Sequence, residues 1–301
     1  ADVFRAARGF LVTYDRTYDY IGVRGFGRPS DYGNRLLVMV DGHRMNDPLY
    51  GAATFGTEGI LDLNLIERIE IIRGPGSSVY GDNAFFGVVN IVTRRGSDID
   101  GGEIGAAYGA YDMYSGRLTY GTRAKSGLDF TVSGAIYGNP GAASFLYPEY
   151  ADIDGGLTTS PDRDKAYSFF ATLRYSDFTL QGAFVNRHKQ DPTGGYDTVF
   201  DYPEGTTTID QRSFADLGYN HDFDGLKVMA RLRYDQMKAM GDYPYDYGDE
   251  DASVVIERDT GRSESIGAEL QASKTFLGSH RLTAGAEYRN DLRLILQSKD
   301  L

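Results

Sequence analysis

The chain of 301 residues contains no cysteine and no tryptophan, and it has only 4 histidines. Without cysteine it can form neither a disulfide framework nor a thiolate metal site. The histidines lack the spacing that zinc or haem iron requires: they are His43, His188, His221 and His280. No apolar run reaches the ~18 residues that a transmembrane helix needs. We therefore expect no metal, no cofactor and no helical membrane span.

Basic side chains are also too few for a nucleic-acid-binding protein. Lys and Arg total 31 against 43 Asp and Glu, which gives a net charge of −12. Because phosphate binding requires a basic face, we expect no nucleic acid partner. Glycine, tyrosine and phenylalanine are plentiful instead, with 38, 23 and 16 residues. This composition favours a β-rich fold with many turns.

The N-terminal part of the chain has the pattern of a compact core. Leu36–Val40 is a continuous apolar run that ends at an Asp-Gly turn signal. Residues 67–72 and 88–93 form similar runs. A continuous apolar run indicates a strand that is buried on both faces. We predict a small α/β domain over residues 1–96.

After residue 102, apolar residues alternate with polar ones. Residues 128–136 carry mostly apolar side chains at even positions and aspartate, threonine and serine among the odd ones. The same period of two recurs at 167–175, 178–184, 226–234, 266–272 and 282–288. Alternating segments of about 9–11 residues are typical of strands that cross a bilayer with one face in lipid.

The connections between these strands alternate in length. Short turns and long stretches are interleaved: Ser176-Asp177, Asp222–Gly225 and Phe276–Ser279 are short, and 138–162, 187–209 and 239–260 are long. Outer-membrane barrels show this asymmetry, whereas the loops of a soluble β-sandwich would not be sorted by length. Polar faces that carry Arg, Lys and Glu also suit a watery lumen. We predict about nine antiparallel transmembrane strands over residues 97–301.

The N-terminal domain carries a recognisable series of motifs. In chain order they are Val23–Gly27, Leu37–Gly42, Ile66–Glu70, Arg73–Pro75, Val79–Gly81 and Gly87–Thr93. In order and spacing they resemble the plug signature of the TonB-dependent outer-membrane receptors. The resemblance covers about residues 2–95 by motif and 102–301 by pattern.

The resemblance implies a mainly β protein whose N-terminal plug fills a barrel of about 22 strands. About nine strands cannot close such a barrel, and an open barrel would leave unpaired edges in lipid. We therefore expect an N-terminally incomplete plug, followed by the N-terminal part of a transmembrane barrel. The family's energy-coupling box precedes the first plug helix, so it would belong to a missing N-terminal segment.

By resemblance, the protein is a receptor in the outer membrane of a Gram-negative bacterium. It would take up a scarce nutrient, such as a ferric siderophore, cobalamin or a similar metal complex. Its partners would be that ligand, membrane lipid and the TonB-ExbB-ExbD complex. A non-transporting plugged binding protein or adhesin is the alternative. We expect no enzyme, because no carboxylate pair, Ser/His/Asp set or metal cluster stands out.

Arg24 and Arg73 are the candidate residues for a lock between plug and barrel. In the family, arginines at these motif positions pair with barrel glutamates, and the matching glutamates are expected beyond residue 301. An arginine fork can bind a carboxylate through two parallel hydrogen bonds. The alternative is an arginine that binds carbonyl groups of the plug itself.

The signature turn supplies further candidates: Gly74, Pro75, Gly81 and Asn90. Glycine permits positive φ and proline fixes φ, so the first three are expected to set the geometry of a sharp turn. The run 76–81 superficially resembles a phosphate-binding loop. Asp and Asn follow it instead of Lys and Ser or Thr, which excludes a nucleotide site.

The turns between plug strands are predicted to face the external vestibule and contact the ligand, as the resemblance implies. The candidate ligand-binding residues are Arg16, Tyr18, Arg28, Asp31, Tyr32, Asp47 and Tyr50. Aromatic rings beside charged groups suit a ligand that is partly flat and partly polar, and ordinary polar turns are the alternative. The acidic and aromatic run 242–251 falls in a predicted loop. It could bind Ca²⁺ or ligand, or be simply solvated.

Overall fold

The computed structural model describes residues 2–27, 33–248, 254–278 and 280–301. Strands dominate these ranges and the helices are short, which confirms the prediction of a mainly β protein. No helix among the described residues is long and apolar enough to span a membrane.

The N-terminal part forms the plug. Its elements are α1 (Asp2–Ala6), β1 (Phe10–Tyr14), β2 (Asp19–Val23), β3 (Leu36–Val40), β4 (His43–Arg44), β5 (Ile66–Arg73), α2 (Ser77–Tyr80) and β6 (Gly87–Thr93), and the short helix α3 (Gly96–Ile99) follows them. β1 and β2 form an antiparallel hairpin, and the other four strands form a sheet in the order β4-β3-β6-β5. β3 and β6 are parallel to each other, whereas β4 and β5 pair antiparallel with their neighbours.

The central strands supply the core of the plug. Leu36, Leu37, Val38 and Val40 of β3 are at most 2% exposed, as their continuous apolar run predicts. The same prediction is wrong for residues 67–72, because no side chain of β5 is buried. β5 lies at an edge of the sheet and packs against one neighbour, so its charged side chains reach solvent.

A long antiparallel sheet follows the plug. The strands after the plug are β7 (Gly101–Tyr108), β8 (Tyr114–Arg123), β9 (Asp129–Asn139), β10 (Phe145–Leu146), β11 (Leu157–Thr158), β12 (Asp164–Tyr175), β13 (Phe178–Asp191), β14 (Thr206–Phe223), β15 (Leu226–Tyr245), β16 (Val255–Phe276) and β17 (His280–Asp300). β10 and β11 form a separate hairpin. The other nine pair in sequence order, with β7 and β17 at the edges, and we call this sheet the wall. The prediction of about nine antiparallel strands is confirmed.

The connections of the wall are sorted by length. Two-residue turns join β12 to β13 and β14 to β15, and long connections join β9 to β12 and β13 to β14 at the opposite end. The predicted strand length is wrong for β14–β17, which contain 18, 20, 22 and 21 residues. Antiparallel pairing of β15 with β16 continues as far as Tyr245 and Val255. Each added pair satisfies backbone N–H and C=O groups, so the long loops are shorter than predicted.

The two faces of the wall have the reverse polarity of a soluble sheet. Thr119, Thr131 and Ser133 are at most 3% exposed, whereas Leu118 and Ile136, which point to the other face, are 65% and 56% exposed. A polar inner face and an apolar outer face are typical of barrels that stand in a membrane.

The plug packs against the inner face and shares a hydrophobic core with it. Phe170, Val185 and Phe214 of the wall are buried in one cluster with Val38 and Val40 of the plug. Burial of each such side chain stabilises the contact by roughly 1.5–3 kcal/mol. The wall therefore holds the plug by apolar packing as well as by the polar contacts described next.

Candidate plug anchors and ligand cavity

The predicted lock arginines are exposed and lie close together. Neither Arg24 nor Arg73 makes a side-chain hydrogen bond or ion pair with a residue in the described ranges. A Cβ built on Gly74, the neighbour of Arg73, would lie 4.0 Å from Nη2 of Arg24. The structure thus brings the two motifs together, and their pairing with barrel glutamates stays a prediction.

The signature turn has the backbone geometry that glycine permits. Gly74 has φ +111°, and Gly81, which follows α2, has φ +72°. Residues with a Cβ rarely adopt these angles. Pro75 lies exposed in the same turn.

Asn90 connects three segments of the plug. Its Oδ1 accepts a hydrogen bond from the backbone N–H of Gly42 at 3.1 Å, and its Nδ2 donates to Glu70 at 3.0 Å. The bond from Asn90, together with Arg68, lowers the pKa of the Glu70 carboxyl. Asn90 therefore fixes β5 and the β3–β4 turn to β6.

A buried histidine anchors the plug to the wall. His43 of β4 is fully buried, and its ring stacks on Phe214 of β14 with the centroids 3.9 Å apart. Its Nδ1 lies 2.8 Å from Asp216 of β14, and its Nε2 lies 3.0 Å from Asp235 of β15. One plug side chain thus contacts carboxylates on two neighbouring wall strands.

Arginines of the wall bind the same plug segment. Arg231 donates to the backbone carbonyl of Asp41 at 3.0 Å, and Arg174 lies 3.5 Å from the Asp41 carboxylate. Arg212 donates to the carbonyl of Met45. In these anchors the wall supplies the guanidinium groups and the plug supplies the acceptors, which is the reverse of the polarity predicted for the lock.

A second anchor centres on Arg187 of β13, which is 2% exposed. Its Nε and Nη2 each donate to one oxygen of Asp164 at 3.1 Å. Asp210 lies 3.8 Å from Nη1, and Glu58 of the plug lies 3.4 Å from it. Tyr18 donates its hydroxyl to Asp210 at 3.0 Å. Burial raises the pKa of Tyr18 well above its ordinary value, which keeps that hydroxyl protonated as a donor.

The β1–β2 turn of the plug makes a third contact, with the long connection between β9 and β12. Arg16 lies 2.5 Å from the Asp162 carboxylate, and its guanidinium lies over the Phe145 ring at 4.6 Å. Lys189 binds the same carboxylate. The guanidinium of Arg16 therefore already has an ion-pair partner and an aromatic ring to lie over within this chain.

A cavity of about 370 Å³ lies between the plug turns and the end of the wall that carries the long connections. Tyrosines line it: they are Tyr18, Tyr20, Tyr50, Tyr196, Tyr243 and Tyr245. Tyr20 of the plug and Tyr196 of the wall side both donate to Asp15, at 2.6 and 2.8 Å. Aromatic side chains with a few placed polar groups are typical of small-molecule sites.

The predicted ligand-binding residues divide into three groups. Tyr18, Asp47 and Tyr50 line the cavity, and Arg16 lies outside its lining. Asp47 accepts hydrogen bonds from the backbone N–H groups of Leu49, Tyr50 and Ala52, so its carboxylate shapes its own turn. Arg28, Asp31 and Tyr32 lie outside the described residues.

The acidic run 242–251 is described as far as residue 248. The prediction of a loop is wrong for residues 242–245, which belong to β15. Asp242 accepts two hydrogen bonds from Arg258, at 2.5 and 2.7 Å. Among the residues that the structure describes, no group of three or more His, Asp and Glu side chains is placed to hold a metal ion.

Sequence reasoning missed His43 and Arg187. His43 follows the turn at the end of β3, and that position was a signal that it belongs to the plug core. Arg187 occupies an inward position of an alternating strand, which marks it as a lumen residue. Its partners depend on the register that places it opposite Asp210, and the sequence alone does not show that register.

A small mixed sheet that packs against the polar inner face of a long antiparallel wall is the architecture of a plugged barrel. Residues 1–88 match the family model described as TonB-dependent Receptor Plug Domain. The chain thus carries the plug domain of a TonB-dependent receptor, followed by antiparallel wall strands.

Solved structures of receptors share this fold. The pyoverdine outer membrane receptor FpvA from Pseudomonas aeruginosa matches with a TM-score of 0.62 and 14% identity, over 96% of this chain and 43% of that one. The ferric yersiniabactin uptake receptor FyuA from Yersinia pestis matches with 0.58 and 15%, over 99% and 56%. The siderophore receptor PiuA from Acinetobacter baumannii matches with 0.61 and 14%, over 90% and 39%.

At these identities the matches show the fold alone. The chain spans between 39% and 56% of the length of these three structures.

Proposed function

We propose that the protein is an outer-membrane receptor of a Gram-negative bacterium that takes up a scarce nutrient with energy from TonB-ExbB-ExbD. The proposed ligand is a metal chelate, either a ferric siderophore or a complex such as cobalamin. The observation that carries the proposal is the tyrosine-lined cavity between the plug turns and the wall.

Two further observations support it. The apolar outer face of the wall suits contact with lipid. The solved structures of the same fold are named as receptors for pyoverdine, yersiniabactin and siderophores. The cavity is large enough for part of a chelate of that kind, and its rings suit a ligand with flat portions.

A non-transporting plugged binding protein would use the same cavity. It would need no movement of the plug, so uptake separates the two candidates and binding does not. Growth is therefore the better measurement.

The test uses a deletion strain that is complemented with the whole receptor and grown under iron or cobalamin limitation. We expect one chelate class to restore growth through the receptor only. Tyr50→Ala and Tyr243→Ala should each weaken binding of that chelate by about 0.5–1.5 kcal/mol, the worth of an aromatic contact. Tyr111→Ala, an exposed tyrosine outside the cavity, is the control. Equal growth with and without the receptor on every chelate would contradict the proposal.

A further inference from the structure

Two cavities meet beside residues 54–60 of the plug, which we call the hinge loop. The first is the tyrosine-lined cavity, here called the external cavity, and the second has a volume of about 660 Å³. Their linings share Thr54 and Glu58 of the hinge loop and Asp19 of β2. Asp210 lines the external cavity, whereas Arg187 and Asp164 line the second one. The contact between Glu58 and Arg187 therefore lies in the partition between the two spaces.

The contact between Glu58 and Arg187 is buried, but the two facing atoms do not form a hydrogen bond. Glu58 and Arg187 are 3% and 2% exposed. The atoms that face each other across 3.4 Å, Oε2 and Nη1, have no hydrogen-bond partner among the described residues. Arg187 meanwhile holds Asp164 through two hydrogen bonds and lies near Asp210. Since one guanidinium faces three carboxylates, it stays paired in the wall when Glu58 withdraws, and the cost of withdrawal is reduced.

The hinge loop is held together by its own hydrogen bonds. The other oxygen of Glu58 accepts from the backbone N–H of Gly56 at 3.1 Å, and Gly59 donates to the Gly56 carbonyl at 2.9 Å. A Cβ at Gly56 would lie only 2.4 Å from Oε2 of Glu58, so a larger residue there would displace the Glu58 carboxylate from its present position. Beyond the ion pair, Thr57 donates to Asp164 at 2.7 Å. Two polar contacts thus tie an internally bonded loop to the wall.

The hinge loop is also connected to the N-terminal helix. Phe4 of α1 is 3% exposed, and its ring meets Phe55 edge to face with the centroids 5.0 Å apart. A force applied to α1 would therefore act on the segment that carries Glu58.

We propose that Glu58 and Arg187 form a gate between the external cavity and the second cavity. The gate is closed by their ion pair and opens when the hinge loop leaves the wall. The proposal rests on the proposed function in that a transported ligand would pass this gate. Glu58 and Arg187 are positioning residues here, since neither is required to bind the ligand.

The first test measures leakage through the whole receptor in a strain whose outer membrane excludes vancomycin. Glu58→Gln keeps the shape of the side chain and removes its charge. We expect a several-fold rise in vancomycin sensitivity. Glu149→Gln, an exposed glutamate of a wall connection, is the matched control and should behave as the unmodified receptor. Unchanged sensitivity of the Glu58→Gln strain at equal receptor abundance would overturn the gate.

The second test needs no ligand and uses the absence of cysteine from this chain. Thr57→Cys places a thiol on the hinge loop, and its labelling by a membrane-impermeant maleimide reports exposure of the loop. The change replaces the hydroxyl that binds Asp164 in both backgrounds, so the charge of Glu58 is the only difference between them. Labelling should be several-fold faster with Glu58→Gln than with Glu58 in place. Ser144→Cys, in an exposed connection, should label at one rate in both backgrounds.

Equal labelling at position 57 in both backgrounds would overturn the proposal. Failure of the proposed function has a different signature, namely a receptor that supports no chelate-dependent growth. Labelling at position 57 remains informative in that case, so the two ideas fail separately.

Discussion

At the scale of single residues, the plug is held by side chains that contact several wall groups at once, so few other residue types could replace them. His43 faces Asp216 and Asp235 through its two ring nitrogens. We expect His43→Leu to remove both hydrogen bonds while keeping an apolar side chain against Phe214. The loss should be about 1.5–3 kcal/mol for each bond to a charged group. Chemical denaturation of the purified receptor in detergent measures it, with the exposed His188→Leu as control. Equal unfolding midpoints would contradict the anchor.

Tyr18 gives a prediction about pH. Burial raises its pKa above the ordinary value of 10.0, so the folded protein keeps the phenolic proton where the unfolded chain releases it. This contribution to stability is fully present below pH 10.0 and is lost as pH rises from there toward the folded-state pKa. The unfolding free energy should therefore fall more steeply above that pH than it does for Tyr18→Phe. Denaturation of both proteins at several alkaline pH values tests this, and parallel curves would count against it.

At the scale of elements, α1 is short but its one buried ring connects it to the hinge loop. Phe4→Ala should cost about 3–5 kcal/mol, because it opens a cavity between Phe10 and Phe55. If α1 transmits force to the hinge loop, the variant should bind chelate normally but import it more slowly. Val3→Ala, on the exposed side of the same helix, is the control. Binding and uptake assays on the same cells separate the two effects, and unchanged uptake would contradict the connection.

The strands also show how much of the fold could be predicted from the sequence. β3 could be predicted because an uninterrupted apolar run fits few structures other than a buried strand. The wall strands could be predicted because a period of two survives wherever one face is apolar. The prediction that β5 is buried on both faces is wrong because β5 lies at the edge of its sheet, where its charged residues reach solvent. Edge position is a property of the fold that the sequence of one strand does not show. The ends of β14–β17 were misplaced because backbone pairing extends them where side chains no longer alternate.

The candidate site was less predictable than the fold for a related reason. Tyr18 and Tyr50 lie in turns that a motif can place, and both line the cavity. Glu58 and Arg187 meet only because the register of β13 and the path of the hinge loop bring residues distant in sequence together. No local pattern marks such a pair, since a glutamate in a turn and an arginine in a strand are both ordinary alone.

At the scale of the whole molecule, the polar groups of the plug divide into those that the wall binds and those that it leaves exposed. Asp41 and Glu58 contact guanidinium groups of the wall, and His43 contacts two of its carboxylates. Arg24 and Arg73 are exposed and make no ion pair with a residue in the described ranges. We therefore expect Arg24 and Arg73 to be the plug groups that remain available for further contacts in the whole receptor.

The remaining prediction concerns one of these exposed arginines. If Arg73 pairs with a barrel glutamate in the whole receptor, as the resemblance implies, Arg73→Ala should leave the other charge unpaired, which costs about 3–5 kcal/mol for a buried pair. The plug would loosen, and passive entry of a large antibiotic should rise. Arg8→Ala, an exposed arginine of the same domain, is the control. Unchanged leakage would mean that the anchors on the wall side hold the plug alone, so Arg73→Ala combined with Glu58→Gln should then leak no more than Glu58→Gln. A larger leak in the double variant would instead show that Arg73 and the wall anchors close the barrel together.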